Sequence, residues 1–190
     1  MTETVETTVN EYPAATITDE RLTGEKADLV AGLRAARHFL RLTARGLTDE
    51  QARHRSTVSE LCIGGLIKHV TSGERTWAGF IEFGTSAMPD FMNFTEADYE
   101  RRAQEYRMLP GETLAGVLAA YEAVAAATDE LVAGLDDLGA SHPLPAAPWF
   151  NQKESWSARR TVMHIVAETV QHAGHADIIR EAIDGAKSMG

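Results

Sequence analysis

Three histidines and a glutamate fall close together near the C-terminal end of the chain: His164, Glu168, His172 and His175. Imidazole and carboxylate are side chains that hold a divalent cation such as zinc. They also move protons near neutral pH. Residues four apart on a helix share a face, so Glu168 and His172 can chelate a single ion. With His164 at zero and about 100° per residue, His175 falls at about 20°, Glu168 at about 40° and His172 at about 80°. Ile179 falls at about 60°, and Ile165 and Ile183 at about 100°. Glu168 and His172 are therefore expected to point inward among isoleucines, with His164 and His175 on the margin of that face. An ionisable pair aimed into an apolar core is costly unless something neutralises or coordinates it.

A third donor is available earlier in the chain. Cys62, Leu66, His69, Gly73, Trp77 and Phe80 share one helical stripe, with His69 in its middle. Alone, His69 reads as a hydrogen-bonded core histidine, and the Glu168/His172 pair reads equally as an intrahelical hydrogen bond. Together on two facing helices, the three make a metal site. Cys62 reads as a small core residue. His38 and His54 read as surface or loop residues, and His142 precedes a proline in a loop.

These side chains need helices to position them. Leu29, Leu33, Ala36, Leu40 and Thr43 repeat at three or four residues from Glu25, and Gly46 closes the run. A second helix, capped by Thr57 or Ser59, is expected through about Phe83, with Gly84 beyond its end. The stretch 85–109 is the least regular, with a short helix in its acidic part, Glu96 to Arg102. After Pro110 and Gly111, an alanine-rich helix is expected over about Leu114 to Leu135. Prolines 143, 145 and 148 break the chain before a last helix from Ser157 to about Ile183, ended near Gly185. No segment alternates as a half-buried strand does. The expected fold is all-α: a helix bundle over residues 25–187, preceded by a polar arm over residues 1–24.

Composition excludes several functions. The 190 residues carry 18 Lys and Arg against 28 Asp and Glu, a formal net charge of -10. Such a chain is a poor general binder of nucleic acid or anionic membranes. No apolar run approaches the roughly 20 residues of a membrane span. The N-terminus has neither a basic region nor an apolar one, so no secretory signal is read there. Cys62 is the only cysteine, which excludes an internal disulfide and any multi-cysteine zinc module. The expected compartment is the cytoplasm.

Leu66 and His69 with downstream Glu74 and Trp77, joined to Glu168, His172, His175, Ala176, Asp177 and Arg180, make a pattern similar to the DinB-like superfamily. More narrowly, the chain resembles the actinobacterial branch of mycothiol transferases and mycothiol-dependent maleylpyruvate isomerase, from about Glu25 to Lys187. The resemblance implies a four-helix bundle in up-down-down-up order, often dimeric. It also implies a divalent metal, zinc first and nickel second, held by His69, Glu168 and His172. Many relatives have His where this chain has Glu168, whereas the isomerase branch has Glu. His175 stands where other branches commonly have Gln, and is read as hydrogen-bonding a ligand rather than as a fourth ligand.

Two imidazoles and one carboxylate leave a coordination position open, as catalytic zinc sites do. The implied chemistry is activation of a low-molecular-weight thiol such as mycothiol for attack on an electrophile. His175 or His164 is a candidate proton shuttle. Arg159 and Arg180 are candidates to bind the thiol, with helix-surface ion pairs as the plainer account of both. Trp77 reads as core, and the apolar loop from Pro143 to Phe150 as a wall of the site or a packed connection. Three other enzymes suit the same donors: a thiol-dependent isomerase, a hydrolase (although no HExxH supplies an adjacent base) and a non-heme iron oxygenase. A non-catalytic metal-binding stress or interaction protein is the remaining alternative.

Overall fold

The computed structural model describes residues 19–151 and 153–188. Most of the expected polar arm, residues 1–18, lies outside the described residues. The end of that arm is anchored: Leu22 is buried against the core, and Arg21 bridges Asp19 to Glu130 at 2.8 Å.

Four long helices carry the fold: α1 (Gly24–Leu42), α3 (Ile63–Phe83), α5 (Leu114–Gly134) and α6 (Ala158–Asp184). Two short ones, α2 (Asp49–Arg53) and α4 (Glu96–Glu105), lie on the connections. Helix α1 packs along α6, and α3 packs against both α5 and α6. Leu40, Ile63, Leu66, Ile67, Tyr121, Ala176 and Ile179 fill one end of the core. Val30, Leu33, Ile81, Val132, Val162 and Ile165 fill the other.

Between these two clusters, in sequence order along α1, α3 and α5, stand Arg37, Glu74 and Asp129. Arg37 and Glu74 are each only 2% exposed. The Arg37 guanidinium donates to Glu74 at 2.5 Å and to Asp129 at 2.7 Å, while Arg34 holds the second Asp129 oxygen at 2.8 Å. A charge this deep is tolerated only when paired, and here one guanidinium serves two helices.

The local signals differ from expectation in three places. Cys62, not Thr57 or Ser59, stands at the N-cap of α3, and its side chain makes no capping bond. The two hydroxyls are used one turn earlier, where Thr57 accepts from the Ser59 N–H and Ser59 accepts from the Leu61 N–H. Helix α2 fills the segment between the first two expected helices, where the sequence shows no helical period. It is held by a capping box between Thr48 and Gln51, too short to show an apolar period. A ladder, β1 (Ser141–Pro143) paired antiparallel with β2 (Ser155–Ser157), sets His142 opposite Trp156. Three-residue strands are too short to display alternation, so the expectation of a chain without strands is corrected by this one ladder. The described residues are otherwise mostly helical.

The crossover from α4 to α5 lies directly on α3 because of glycine. A methyl group placed on Gly65 would sit 1.9 Å from the Tyr106 carbonyl oxygen, which is backbone and cannot swing away. Gly65→Ala is therefore expected to cost about 1–3 kcal/mol, measured by thermal denaturation, and to lift Tyr106 from α3. Wild-type stability in that variant would show that the crossover is not clamped there.

Candidate metal centre

His69 sits on the second turn of α3, with Glu168 and His172 one turn apart on α6. One ligand atom from each lies within 4.8 Å of the others. The His69 and His172 rings are 4.8 Å apart and nearly perpendicular, at 81°. Glu168 Oε2 and His172 Nε2 are 3.7 Å apart, too far for a hydrogen bond. Two donors bound tetrahedrally to one zinc ion are separated by about 3.4 Å, so this gap is close to the size of a shared cation. His69 Nδ1 and His172 Nδ1 are both buried without a hydrogen-bond partner. Two imidazoles with an unsatisfied nitrogen each, and a carboxylate one turn from the second, fit a divalent metal of the zinc class.

The burial of these groups corrects the helical-wheel expectation. The buried face of α6 runs through Val162, Ile165, Thr169, Ala173 and Ala176. Ile165 and Ile179 are buried as the wheel expects, but the face continues past them through Val162, Thr169 and Ala173, which moves its centre to about 120° on the same wheel. Glu168 and His172 consequently stand at the edge, with side chains 44% and 13% exposed. They face a cavity of about 440 Å³ rather than the core. The His172 imidazole holds the Glu168 carboxyl below the usual carboxylate range, against the opposing effect of burial. Glu168 is thereby kept as an anionic donor at neutral pH.

His69 has further partners that the sequence did not reveal. Tyr106, just past α4, stacks on its ring at 4.1 Å and places its hydroxyl 3.1 Å from Nε2. Glu105 lies 3.9 Å from Nδ1 and accepts a hydrogen bond from Ser72 at 2.7 Å. Burial raises the Glu105 carboxyl, but His69 and Ser72 outweigh it and hold the group below its ordinary value. Both residues come from the irregular stretch 85–109, where nothing in the apolar period marked them. Arg102 lines the same cavity.

The remaining sequence candidates separate cleanly. His164 lines the cavity, its ring 4.7 Å from Trp77 and 5.0 Å from Trp156, and burial pushes its imidazole toward the neutral form. His175 is exposed, with its ring 5.6 Å from His172. Trp77 is both packed and part of the wall, and Trp149 and Phe150 of the proline-rich loop also line the cavity. The structure does not bring Arg159 or Arg180 there. Arg159 pairs with Glu25 at 2.8 Å, tying α6 to the first turn of α1. Arg180 donates to the Thr43 and Arg45 carbonyls at 2.9 and 2.7 Å and pairs with Asp184. Cys62 is buried beside the Tyr106 carbonyl, away from the donors. His38 is more enclosed than expected, with Nε2 buried.

No helix among the described residues is long and apolar enough to cross a membrane. No curated protein matches the chain. The resemblance read from the His69 and Glu168–His172 motifs holds: the mycothiol-S-transferase family model matches residues 28–185, and the chain belongs to that family.

Proposed function

We propose that the protein is a divalent-metal-dependent transferase that joins a low-molecular-weight thiol of the mycothiol type to an electrophile. The observation that carries this reading is the meeting of His69, Glu168 and His172 within 4.8 Å on the wall of an open cavity. These three would hold zinc, or nickel in second place, and leave a position free. A cation bound there would supply the Lewis acidity that keeps a coordinated thiol deprotonated at neutral pH.

The chain's own residues would do the rest. Ser72, Arg102 and Gln171 present polar groups into the cavity for a polar thiol. His164, which faces the cavity as a largely neutral imidazole, is placed to accept the thiol proton. His175, next to His172 and open to water, is placed to pass a proton to solvent. The same reading takes the long helices as a DinB-like bundle in up-down-down-up order, working as a cytoplasmic homodimer in detoxification.

The test is metal content. Protein purified without a tag is expected to contain close to one zinc or nickel per chain by elemental mass spectrometry. His69→Ala and Glu168→Ala are each expected to lose it. Metal missing from the wild type even after reconstitution would overturn the proposal.

A further inference from the structure

We infer that one flank of the cavity is a subsite for the second substrate, and that this substrate is a neutral, planar, aromatic electrophile. The assignment of the bound molecule as electrophile rests on the transferase reading above. The cavity has two unlike sides. Its charged lining, Glu74, Arg102, Glu105 and Glu168, comes from α3, α4 and α6. The other side is built from Trp77, Met88, Pro89, Phe91, Trp149 and Phe150, without a charge among them.

The rings of that side form a continuous path outward from the donors. His164, one turn before Glu168, meets Trp77 at 4.7 Å, and Trp77 meets Phe150 at 6.1 Å. Phe150 meets Trp149 at 6.1 Å, and Trp149 meets Phe91 edge-on at 5.2 Å and 67°. Trp149 nevertheless remains 61% exposed. A lone exposed tryptophan needs no explanation, but one that belongs to a contiguous aromatic wall of a cavity marks a binding surface. A planar ring can add to this wall in the same edge and face geometries that its own rings adopt. An anionic molecule would lose its hydration against these rings, and in the cavity lining Arg102 is outnumbered by Glu74, Glu105 and Glu168. A cavity of about 440 Å³ is in the range that encloses small molecules.

The test is fluorescence titration of the full-length protein with N-phenyl-1-naphthylamine, a neutral aromatic probe that brightens on leaving water. Saturable binding is expected, weakened about 5- to 30-fold by Trp149→Ala and by Phe91→Ala. Ile178→Ala removes an exposed hydrophobe elsewhere on α6 and is expected to leave binding unchanged. The sulfonated analogue 8-anilino-1-naphthalenesulfonate is expected to bind at least ~10-fold more weakly. Absence of saturable binding, or wild-type affinity in both aromatic variants, would overturn the subsite. Equal affinity for the sulfonate would overturn its preference for neutral molecules. Metal content measured on the same samples separates the two ideas. Probe binding without metal sinks the transferase reading and leaves the subsite; metal without probe binding does the reverse.

Discussion

Exchange of His172 for alanine is expected to lower kcat/KM for thiol transfer by about 10²- to 10³-fold, with helical content unchanged. Ionisation accounts for part of that loss. A free thiol with a pKa of about 8.5 is only about 3% thiolate at pH 7, so losing the deprotonated state removes a factor of about 30. The remainder is positioning, since the thiol would no longer be held beside the electrophile. The variant should retain its fold because His172 lies at the edge of the buried face of α6, which is filled by Thr169, Ala173 and Ala176. Circular dichroism beside steady-state kinetics separates the two effects. Dialysis of the wild type against a chelator should reproduce the loss, and returning zinc should reverse it. Acidification should also weaken metal retention, because imidazole ligands must give up their protons to bind. Full activity in His172→Ala would remove this residue from the mechanism.

The largest loss of stability is expected from Arg37→Met. Removing the guanidinium leaves the Glu74 carboxylate buried without the partner that donates at 2.5 Å. Breaking one side of a buried ion pair costs about 3–5 kcal/mol. For a domain of this size that corresponds to a fall in Tm of about 6–20 °C. Asp129 suffers less, because Arg34 still holds it at 2.8 Å. The pairing itself is tested by adding Glu74→Met to Arg37→Met. The double variant is expected to recover at least half of the lost Tm, since two apolar side chains replace two charges that no longer need each other. A double variant as unstable as the sum of the singles would show that the two residues act independently.

The residues differ in how far their roles could be read in advance. The extent of α1, α5 and α6 followed from apolar spacing and from the residues at their ends. Gly185 closes α6 in the left-handed conformation, at φ 77°, as its position after the last periodic residue suggested. The pairing of Glu168 with His172 was equally legible, because a separation of four is a fixed geometric relation on any helix. The degree of burial was not. A helical wheel gives angles, but the zero of burial depends on what packs opposite, and here Val162, Thr169 and Ala173 carry that face past the isoleucines.

Sequence alone thus determined the helical class and the family resemblance, and it singled out His69, Glu168 and His172 as candidate donors. Tertiary structure decided which other groups stand beside those donors. His69 meets Tyr106 across 37 residues, and Arg37 meets Glu74 across 37 more. Neither separation carries a period that a helix imposes. Tyr106 reaches His69 because Gly65 has no side chain to keep the crossover at a distance, and Arg37 reaches Glu74 because α1 and α3 bury both charges in one apolar layer. Contacts of that kind depend on the volume and charge left over when separate helices pack, which exist only once the chain has folded.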